Sequence, residues 1–469
     1  MNELVIFIDL QNDFLDIMND EYNKSINKLC KYLKILKKNM IFIKSNYFEI
    51  PKNDLTNHII LDRLEGTHLG KKICLKDTYG AELIDLVKPY SNKNNIIVKK
   101  YYSGFKETNL DEYLKNNNID TLIFVGLTIN TCIKATILDA IRLGYNVKII
   151  KECVIGINKK MTIKGIEEIK QIENITMIDL DTFINGFEIY CEGDTFIIND
   201  IFPSNIYNCN TFYDLINECE WKTMKIKTGQ LSRLVDVQVD LNNIDDTNKD
   251  TNKDTSNNLI PVYRNPSDNY IEPNISTPTI KKMFDWLNSQ IDLDGIKFNH
   301  VFLKYYKSCF DGIGKHSDKT LDLDRKSYIG NLSIGSTRKM TFKSKINNSI
   351  VDIDLRSNSI LFIGMKTNEK WLHEVKPDKR DKSLKKQDEL SYQTQRMSLT
   401  FRTVCTYYNT QTKKLEGQGA PKFLIDLNDN ESISLDKQNL IKAFGNENKL
   451  ENFNWNEFYS NGFYSLCTK

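Results

Sequence analysis

Two histidines and one aspartate have the spacing of a metal-binding site. His316 and Asp318 lie two residues apart, so on an extended strand end both side chains point to one face. His373 is predicted to come from a later strand of the same barrel. Two histidines and a carboxylate form the facial set that holds Fe(II) and leaves coordination positions open for a co-substrate and O₂. The chain has only five histidines, and the presence of two at these positions favours an Fe(II) site.

The stretch 396–402 predicts a strand with two inward-facing arginines. Its alternating pattern places three apolar side chains on one face and four polar ones on the other, namely Arg396, Ser398, Thr400 and Arg402. Buried arginines are costly unless each meets an anion, and a dicarboxylate co-substrate is the natural partner. Arg402 lies roughly 20 Å from Arg396 along an ideal strand. The two arginines therefore cannot bind one carboxylate together, and we expect Arg402 to order the region near Asp318 and the iron.

Residues from about 190 to 412 resemble the AlkB-type Fe(II)/2-oxoglutarate dioxygenases. The matching positions are Tyr306, the stretch 311–318 (Asp-Gly-Ile-Gly-Lys-His-Ser-Asp), the stretch 331–338, the stretch 371–373 and the strand 396–402. The resemblance implies that Tyr306 and Arg396 bind the distal carboxylate of 2-oxoglutarate. It also implies oxidative demethylation of alkylated bases in single-stranded nucleic acid.

Two departures from this family concern the substrate. Lys304 stands where relatives have Asn beside 2-oxoglutarate, and Lys319-Thr320 replaces an acidic pair that helps to read the damaged base. Basic residues that could contact phosphates cluster in sequence around the metal motif and in the run 376–386. The members of the first cluster are Lys304, Lys307, Lys315, Lys319, Arg325, Lys326, Arg338 and Lys339. Solvated strand edges and loops are the alternative explanation for these lysines.

A second group of reactive residues lies in the first part of the chain. Asp9, Lys99 and Cys132 each end or follow a predicted buried strand, and active sites of open α/β sheets lie outside these carboxyl ends. Cys132 opens a predicted helix at 129–143, where the dipole and free N–H groups favour a thiolate. A neighbouring acid can take the thiol proton and a neighbouring Lys can hold the thiolate. A small buried side chain without chemical function is the alternative for an isolated Cys.

Residues 1 to about 187 resemble the isochorismatase-like cysteine hydrolases. Four stretches carry the resemblance, at 9–14, 78–82, 99–105 and 126–132. It implies an Asp9–Lys99–Cys132 triad, a cis peptide bond at Leu127–Thr128 and cleavage of amide-type C–N bonds in a small substrate through an acyl-enzyme. The stretch 45–51 lacks the histidines of the nicotinamidase metal site, which disfavours that activity. His58 and His68 remain as less favoured catalytic candidates.

Two different periodicities predict two different domains. Buried strands at 4–10, 40–44, 95–98, 121–126, 147–150 and 175–178 alternate with helical patterns, which is typical of a doubly wound parallel α/β sheet over residues 1–187. Short strands at 301–306, 329–335, 338–343, 349–355, 359–364, 369–375 and 396–404 favour an all-β double-stranded β-helix, or jelly roll, over 190–412. We expect a disordered polar insertion at 242–258. Residues 413–469 are expected to pack on this domain, with one short helix at 434–444.

The composition is typical of an ordinary globular enzyme. The 469 residues carry a net charge of +2, with 40% hydrophobic and 27% charged residues, so nucleic-acid binding would need local basic residues. The ten cysteines form no CxxC pair, which favours reduced thiols in an intracellular, soluble protein. No apolar run predicts a membrane span. A homo-oligomer formed through the first domain is a further prediction.

The leading hypothesis is a bifunctional enzyme that joins a cysteine hydrolase to an oxidative demethylase of nucleic-acid bases. One alternative is a dioxygenase that hydroxylates a small molecule or a protein side chain, with the hydrolase in the same pathway. Another is that one domain is a degenerate binding module, which the two complete residue sets disfavour.

Overall fold

A computed structural model describes residues 2–47, 73–226, 229–243, 258–424 and 429–467. The chain divides into two compact units, Met1–Phe187 and Glu188–Lys469. His58, His68 and residues 244–257 of the predicted insertion lie outside the described residues. Among the described helices, none combines the length and apolar character needed to cross a membrane.

The first unit is built on a six-stranded sheet in which every strand pairs in parallel with its neighbours. The strands are β1 (Glu3–Ile8), β2 (Met40–Ser45), β3 (Ile96–Lys99), β4 (Thr121–Leu127), β5 (Asn146–Ile155) and β6 (Ile175–Ile178). Their order in the sheet is β3-β2-β1-β4-β5-β6. The α-helices in the described residues of this unit are Asp20–Ile35, Leu110–Asn116, Lys134–Arg142, Lys159–Lys170 and Leu180–Phe183. The predicted doubly wound α/β fold is therefore correct.

Burial explains why the central strands are continuous apolar runs. All seven residues of β4 are buried, as are five of the six in β1, because helices cover both faces of a parallel sheet. Asn19 and Asn158 begin two of the covering helices, and each side chain accepts a hydrogen bond from a backbone N–H in the first turn. The sheet order brings the carboxyl ends of β3, β2, β1 and β4 to adjacent positions at one edge.

The second unit contains a nine-stranded sheet, a four-stranded sheet and a three-stranded sheet. The strands of the large sheet are β7 (Glu188–Tyr190), β8 (Thr195–Ile198), β9 (Lys222–Ile226), β10 (Gly229–Val239), β12 (Asn274–Ile275), β13 (His300–Tyr306), β15 (Tyr328–Gly335), β18 (Ser359–Gly364) and β20 (Arg396–Arg402). The four-stranded sheet is formed by β14 (Ile313–His316), β16 (Arg338–Ser344), β17 (Ile350–Leu355) and β19 (Trp371–Val375). Nearly all pairings are antiparallel, as the predicted jelly roll requires.

The third sheet and the helices complete the second unit. The three strands are β11 (Leu259–Pro261), β21 (Thr406–Asn409) and β22 (Lys414–Gly417). The helices are Thr211–Glu218, Pro278–Gln290, Met365–Lys370, Gln387–Leu390, Asn430–Lys449 and Trp455–Tyr459. Side chains of the last two helices form an apolar cluster with Leu321, in which Leu440, Phe444 and Tyr459 are fully or almost fully buried.

Several elements were not predicted, namely β7, β8, β22 and the helices Thr211–Glu218, Pro278–Gln290 and Trp455–Tyr459. Three other differences have a local explanation. Helix Asn430–Lys449 is longer than the predicted 434–444, because Asp429 caps its start with two hydrogen bonds. Residues 369–370 belong to helix Met365–Lys370 rather than to β19. Strand β14 was not predicted, because its burial pattern is only partial and its pairing with β19 is irregular.

Candidate active sites of the two units

Pairing between β14 and β19 brings the two histidines of the metal motif together. His316 ends β14 and lies opposite His373 on β19, with ring centroids 4.4 Å apart. Asp318 follows two residues later, and one potential ligand atom from each of the three side chains lies within 4.8 Å of the others. His373 and Asp318 are buried and His316 is half-buried. Two imidazoles and one carboxylate in this arrangement fit a divalent metal such as Fe(II).

Hydrogen bonds orient the three side chains. The Nδ1–H of His316 donates to the carbonyl oxygen of Gly314 at 2.7 Å, which leaves Nε2 as the ligand atom. Arg402 donates to Oδ2 of Asp318 from Nε at 3.1 Å and from Nη2 at 2.6 Å. Oδ1 of Asp318 remains on the side of the histidines, 3.9 Å from Nε2 of His316. Arg402 thus holds Asp318 through Oδ2, while Oδ1 faces the two histidines.

The protonation states suit a metal site. Burial lowers the pKa of His373 to about 4 and that of His316 well below its ordinary value, so both rings are neutral at pH 7. Burial alone would raise the pKa of Asp318, but Arg402 together with the other neighbouring positive groups outweighs it, and the pKa is lowered. Two neutral imidazoles and a carboxylate are the protonation states that a metal ion needs.

Arg396 and Tyr306 form a second polar site on the same barrel. They lie directly opposite each other on β20 and β13, and the guanidinium carbon is 5.4 Å from the centre of the tyrosine ring. Nη2 of Arg396 donates to Oγ of Ser333 at 2.7 Å, whereas Nε and Nη1 have no hydrogen-bond partner in the described part of the chain. Burial lowers the pKa of Arg396 to about 10. Because a buried arginine with unused donors is costly, this site fits the carboxylate of 2-oxoglutarate.

A cavity of about 380 Å³ opens beside the metal ligands. Its lining includes the apolar side chains Met224, Leu231 and Phe302, together with Tyr263. Five cationic side chains also line it, namely Arg233, Lys304, Lys315, Lys319 and Arg402. Burial, and then the charge of Arg402, lowers the pKa of Lys304 to about 7. Sequence reasoning missed Arg233. The available signal was an arginine at an inward-facing position of a strand with alternating apolar residues, which is how Arg396 was identified.

The C-terminal segment reaches the metal motif directly. Oδ1 of Asn448 accepts hydrogen bonds from the backbone N–H of Ser317 at 3.0 Å, from its hydroxyl at 3.1 Å and from Nζ of Lys319 at 2.6 Å. The carboxylate of Glu447 accepts from the backbone N–H of Thr320 at 2.9 Å. The residues on either side of Asp318 are therefore fixed by the end of helix Asn430–Lys449. Sequence reasoning missed this contact, since nothing local marks it.

In the first unit, Asp9, Lys99 and Cys132 meet at the carboxyl edge of the sheet. Nζ of Lys99 lies 2.9 Å from Oδ2 of Asp9 and 3.4 Å from Sγ of Cys132. Lys99 is completely buried, Asp9 is 1% exposed and Cys132 is 5% exposed. Burial alone would lower the pKa of Lys99, but Asp9 and Cys132 outweigh it and raise the pKa. The ammonium therefore stays charged beside the sulfur, where it stabilises a thiolate.

Ser45 is a fourth member of this group that sequence reasoning missed. Its hydroxyl donates to Oδ1 of Asp9 at 2.9 Å and accepts from Nζ of Lys99 at 2.9 Å. Ser45 ends β2, which lies between the strands that carry Asp9 and Lys99. This position at the carboxyl end of a strand was the available sequence signal for a residue of the site. Ser45 belongs to the stretch without metal-binding histidines, and in the described residues its contacts are to the triad and to Gln11 and Tyr47.

Cys132 lies in a π-helical turn, Ile129–Ile133, between β4 and helix Lys134–Arg142. The cis peptide bond predicted at Leu127–Thr128 is present. Gly126 has φ +118°, and a Cβ there would lie 2.2 Å from the carbonyl oxygen of Ile8. Glycine is therefore required where β4 passes β1 immediately before this turn.

Comparison with known families matches two parts of the chain. Residues 3–179 match the isochorismatase domain, and residues 196–402 match the 2OG-Fe(II) oxygenase superfamily. Both are families of enzymes. The match to the second family ends at the last residue of β20, so the C-terminal segment that contacts Ser317 and Thr320 lies beyond it.

Curated relatives match parts of the first unit. The chain is 33% identical to nicotinamidase from Escherichia coli over 96 residues, which cover 18% of this chain and 45% of that protein. It is 25% identical to a probable inactive nicotinamidase from Arabidopsis thaliana over 178 residues, covering 36% and 89% of the two chains. An N-carbamoylsarcosine amidase from Arthrobacter is 37% identical over 78 residues, covering 17% and 29%. The chain thus spans less than half the length of the first of these relatives.

Solved structures also align with the first unit. One is an isochorismatase-like hydrolase from Alkaliphilus metalliredigens, with 21% identity, a TM-score of 0.32 and coverage of 39% of this chain and 98% of that one. Another is N-carbamoylsarcosine amidase from Thermoplasma acidophilum, with 21% identity, a TM-score of 0.31 and coverage of 39% and 98%. On the family matches, the chain carries an isochorismatase domain at its N-terminus and a domain of the 2OG-Fe(II) oxygenase superfamily at its C-terminus.

Proposed function

We propose that the second domain is an AlkB-like oxygenase that demethylates alkylated bases in single-stranded nucleic acid, for repair of DNA or RNA, with Fe(II), 2-oxoglutarate and O₂. The observation that carries the oxygenase activity is the His316, Asp318 and His373 cluster, whose ligand atoms lie within 4.8 Å of one another beside an open cavity. In this proposal these three side chains hold the iron. Arg396 and Tyr306 bind the distal carboxylate of 2-oxoglutarate, and Arg402 keeps Asp318 oriented.

The chemistry that bound iron supplies is the use of O₂ to convert 2-oxoglutarate to succinate and CO₂, with the second oxygen atom inserted into a substrate C–H bond. Hydroxylation of an N-methyl group gives an N-hydroxymethyl group, which leaves as formaldehyde and restores the unmodified base. Burial limits the contact of two ligands with bulk water, since Asp318 and His373 are each only 6% exposed. It also has to position the methyl group, and a cavity that reaches the metal ligands suits this task.

Two features support a base as the substrate. The cavity volume of about 380 Å³ is adequate for a flat ring, and Met224, Leu231, Phe302 and Tyr263 provide apolar and aromatic surface for its faces. A base must leave the stack to reach such a site, which costs a few kcal/mol in a duplex, so single strands should be preferred. The resemblance to AlkB-type enzymes carries the rest of the proposal.

Fewer basic side chains are available to phosphates than the sequence suggested. Lys319 and Arg338 are buried, and Arg338 donates to the carbonyl oxygens of Asp311 and Lys376. Lys307, Lys315, Arg325, Lys326 and Lys339 remain exposed. Because the salt dependence of binding scales with the number of phosphates contacted, we expect a moderate slope rather than a steep one.

Succinate release tests the oxygenase proposal. The full chain is loaded with Fe(II) and 2-oxoglutarate, and succinate is measured with a methylated single-stranded oligonucleotide, with the unmethylated strand and without DNA or RNA. The methylated strand should raise succinate release, and His316→Ala should abolish it in every arm. Turnover without nucleic acid and no increase with any oligonucleotide would favour hydroxylation of a small molecule or a protein side chain. Wild-type release from His316→Ala would refute the metal site.

We further propose that the first domain is a thiol hydrolase of a small amide. The thiolate of Cys132 attacks the carbonyl carbon, the C–N bond breaks, and the nitrogen leaves with the proton given up by the thiol. Water then cleaves the thioester, releasing a carboxylate and restoring the thiol. Lys99 supports the proposal because its ammonium lies 3.4 Å from the sulfur, and Asp9 keeps that ammonium in place at 2.9 Å.

Trapping the acyl-enzyme tests the hydrolase proposal. Small primary amides and ureido compounds are offered to the protein, the reaction is quenched in acid, and the mass of the Cys132 peptide is determined. A covalent acyl adduct on that peptide, lost in Cys132→Ala together with amine release, is the expected result. Amine release that persists in Cys132→Ala would refute the nucleophile.

A further inference from the structure

Positive side chains outnumber negative ones in the cavity beside the metal ligands. Among the described residues that line it, Asp318 is the acidic side chain, and the cationic ones are Arg233, Lys304, Lys315, Lys319 and Arg402. Three of these cations have acidic partners. Arg402 pairs with Asp318 at 2.6 Å, Lys319 lies 3.7 Å from Glu447, and Lys315 lies 4.0 Å from Glu374.

Arg233 and Lys304 are the two cations left without an ion pair in the described part of the chain. Val235 lies directly opposite Lys304 in the pairing of β10 with β13, and Arg233 is two residues from Val235, so the two cations share one face of the sheet. Arg233 donates from Nη1 to the carbonyl oxygen of Gly312 at 2.8 Å, while its buried Nε has no partner in the described residues. Nζ of Lys304 reaches Oγ1 of Thr400 only at 3.5 Å.

Binding of the co-substrate does not remove this excess. A divalent metal and the side chains of Arg396, Arg402 and Arg233 carry about five positive charges, against three negative charges on 2-oxoglutarate and Asp318, even before Lys304 is counted. The loaded cavity therefore remains positive, in surroundings of low dielectric where charges act strongly. A substrate ring with a fixed positive charge would be repelled, whereas carbonyl oxygens would satisfy the unused donors of Arg233 and Lys304.

We propose that this cavity selects uncharged methylated bases whose methylated nitrogen is flanked by carbonyl oxygens, and that Arg233 and Lys304 determine this choice. N3-methyluracil and N3-methylthymine belong to this class. N3-methylcytosine and N1-methyladenine, which carry a positive charge, are rejected. The inference rests on the proposed demethylase function and gives it a substrate class.

A matched pair of substrates tests the inference. N3-methyluracil and N3-methylcytosine have the same ring and the same methyl position, and they differ at position 4 and in charge. Each is placed once in the same single-stranded oligonucleotide, and conversion by the full chain with Fe(II) and 2-oxoglutarate is followed by mass spectrometry. We expect kcat/KM to be at least about tenfold higher for the N3-methyluracil strand.

Variants of the two cations test the assignment of residues. Lys304→Met and Arg233→Met should each reduce the preference for the N3-methyluracil strand, and the double variant should reduce it further. Lys282→Met removes one exposed positive charge from helix Pro278–Gln290 of the same unit, so it should leave the preference unchanged. Melting curves and succinate release without nucleic acid show whether each variant is folded and can still use 2-oxoglutarate.

The outcomes separate this inference from the proposed function. Equal conversion of both strands, or a preference for N3-methylcytosine, would overturn the inference while leaving demethylation established. A preference that both variants leave intact would remove Arg233 and Lys304 from the explanation and overturn the assignment. If neither methylated strand is converted, the demethylase function fails and the inference fails with it.

Discussion

Lys304 is a single residue whose environment sets its protonation. Its ammonium lies in the cavity near Arg402, Arg233 and Arg396, and burial followed by these charges lowers its pKa to about 7 from an ordinary 10.5. Because the folded-state pKa is the lower one, the unfolded chain binds more protons between pH 7 and 10.5. The free energy of unfolding must therefore rise with pH across this window.

A comparison with Lys304→Met measures this effect. Between pH 7 and pH 9 the metal-free wild-type protein should gain stability relative to the variant by on the order of 2 kcal/mol. Urea unfolding of both proteins at the two pH values provides the measurement, and the other titrating groups cancel in the difference. An equal pH dependence in both proteins would show that Lys304 keeps its ordinary pKa.

The thiol of Cys132 is the corresponding single residue in the first unit. Burial raises the pKa of Cys30, Cys153 and Cys219, and that of Cys191 to about 12, so these thiols react slowly. Cys209 is exposed and serves as a reference within the same molecule. Cys132 differs from all of them in having the Lys99 ammonium 3.4 Å from its sulfur.

Replacing Lys99 by Met should therefore slow alkylation of Cys132 by iodoacetamide about tenfold or more relative to Cys209, since the thiolate fraction sets the rate. Peptide mapping after timed labelling at pH 7 gives both rates from one sample. Labelling of the buried Cys30 or Cys153 would reveal unfolding, and Lys99→Arg, which keeps the charge, is then the variant to compare. An unchanged ratio in the folded Lys99→Met protein would contradict the role of Lys99.

At the scale of elements, helix Asn430–Lys449 contributes to the metal site although it carries no ligand. Its residues Glu447 and Asn448 accept hydrogen bonds from both sides of Asp318, at Ser317, Lys319 and Thr320. Asn368, in helix Met365–Lys370, holds Asp318 itself by accepting from its N–H and donating to its carbonyl oxygen, both at 2.9 Å. Outer contacts of this kind typically change metal affinity 10- to 100-fold.

Asn448→Leu should weaken Co(II) binding about tenfold, because three donors lose their common acceptor. Asn448→Asp keeps an acceptor oxygen at the same position and should retain most of the affinity. Ser465→Ala breaks a hydrogen bond to Asp436 elsewhere in the C-terminal segment and controls for general destabilisation. Titration followed by the visible absorption of Co(II) reads the metal site directly, and unchanged affinity in folded Asn448→Leu would refute this positioning role.

At the scale of the whole molecule, each unit contains its own complete set of reactive residues. Asp9, Ser45, Lys99 and Cys132 belong to Met1–Phe187, whereas the metal cluster, Arg396 and Tyr306 belong to Glu188–Lys469. Cys132→Ala should therefore leave 2-oxoglutarate turnover within about twofold of wild type, and His316→Ala should leave the alkylation rate of Cys132 equally unchanged. Succinate assays and peptide mapping on the full chain test this, and loss of both activities in one variant would show that the two sites are coupled.

Local pattern was sufficient for much of this architecture. Apolar runs predicted all six strands of the first sheet, because strands buried on both faces leave a continuous signal, and alternation predicted β20 with its two arginines. The order of the strands and the contacts of Ser45 and Asn448 depend on residues far apart in sequence, so periodicity cannot reveal them. Lys319 shows the same limit, since its charge suggested a surface role while Glu447 and Asn448 hold it buried.

The contact between Asn448 and Ser317 has a consequence for biosynthesis. The two residues are 131 positions apart in sequence, and ribosomes add about 5–20 residues per second. On the order of ten seconds therefore pass between the synthesis of Ser317 and that of its hydrogen-bond acceptor, Asn448. Once His373 has been added, the nascent domain holds both histidines and Asp318 before the helix that fixes them has been made. A chain interrupted before helix Asn430–Lys449 should therefore bind iron about 10- to 100-fold more weakly than the full chain.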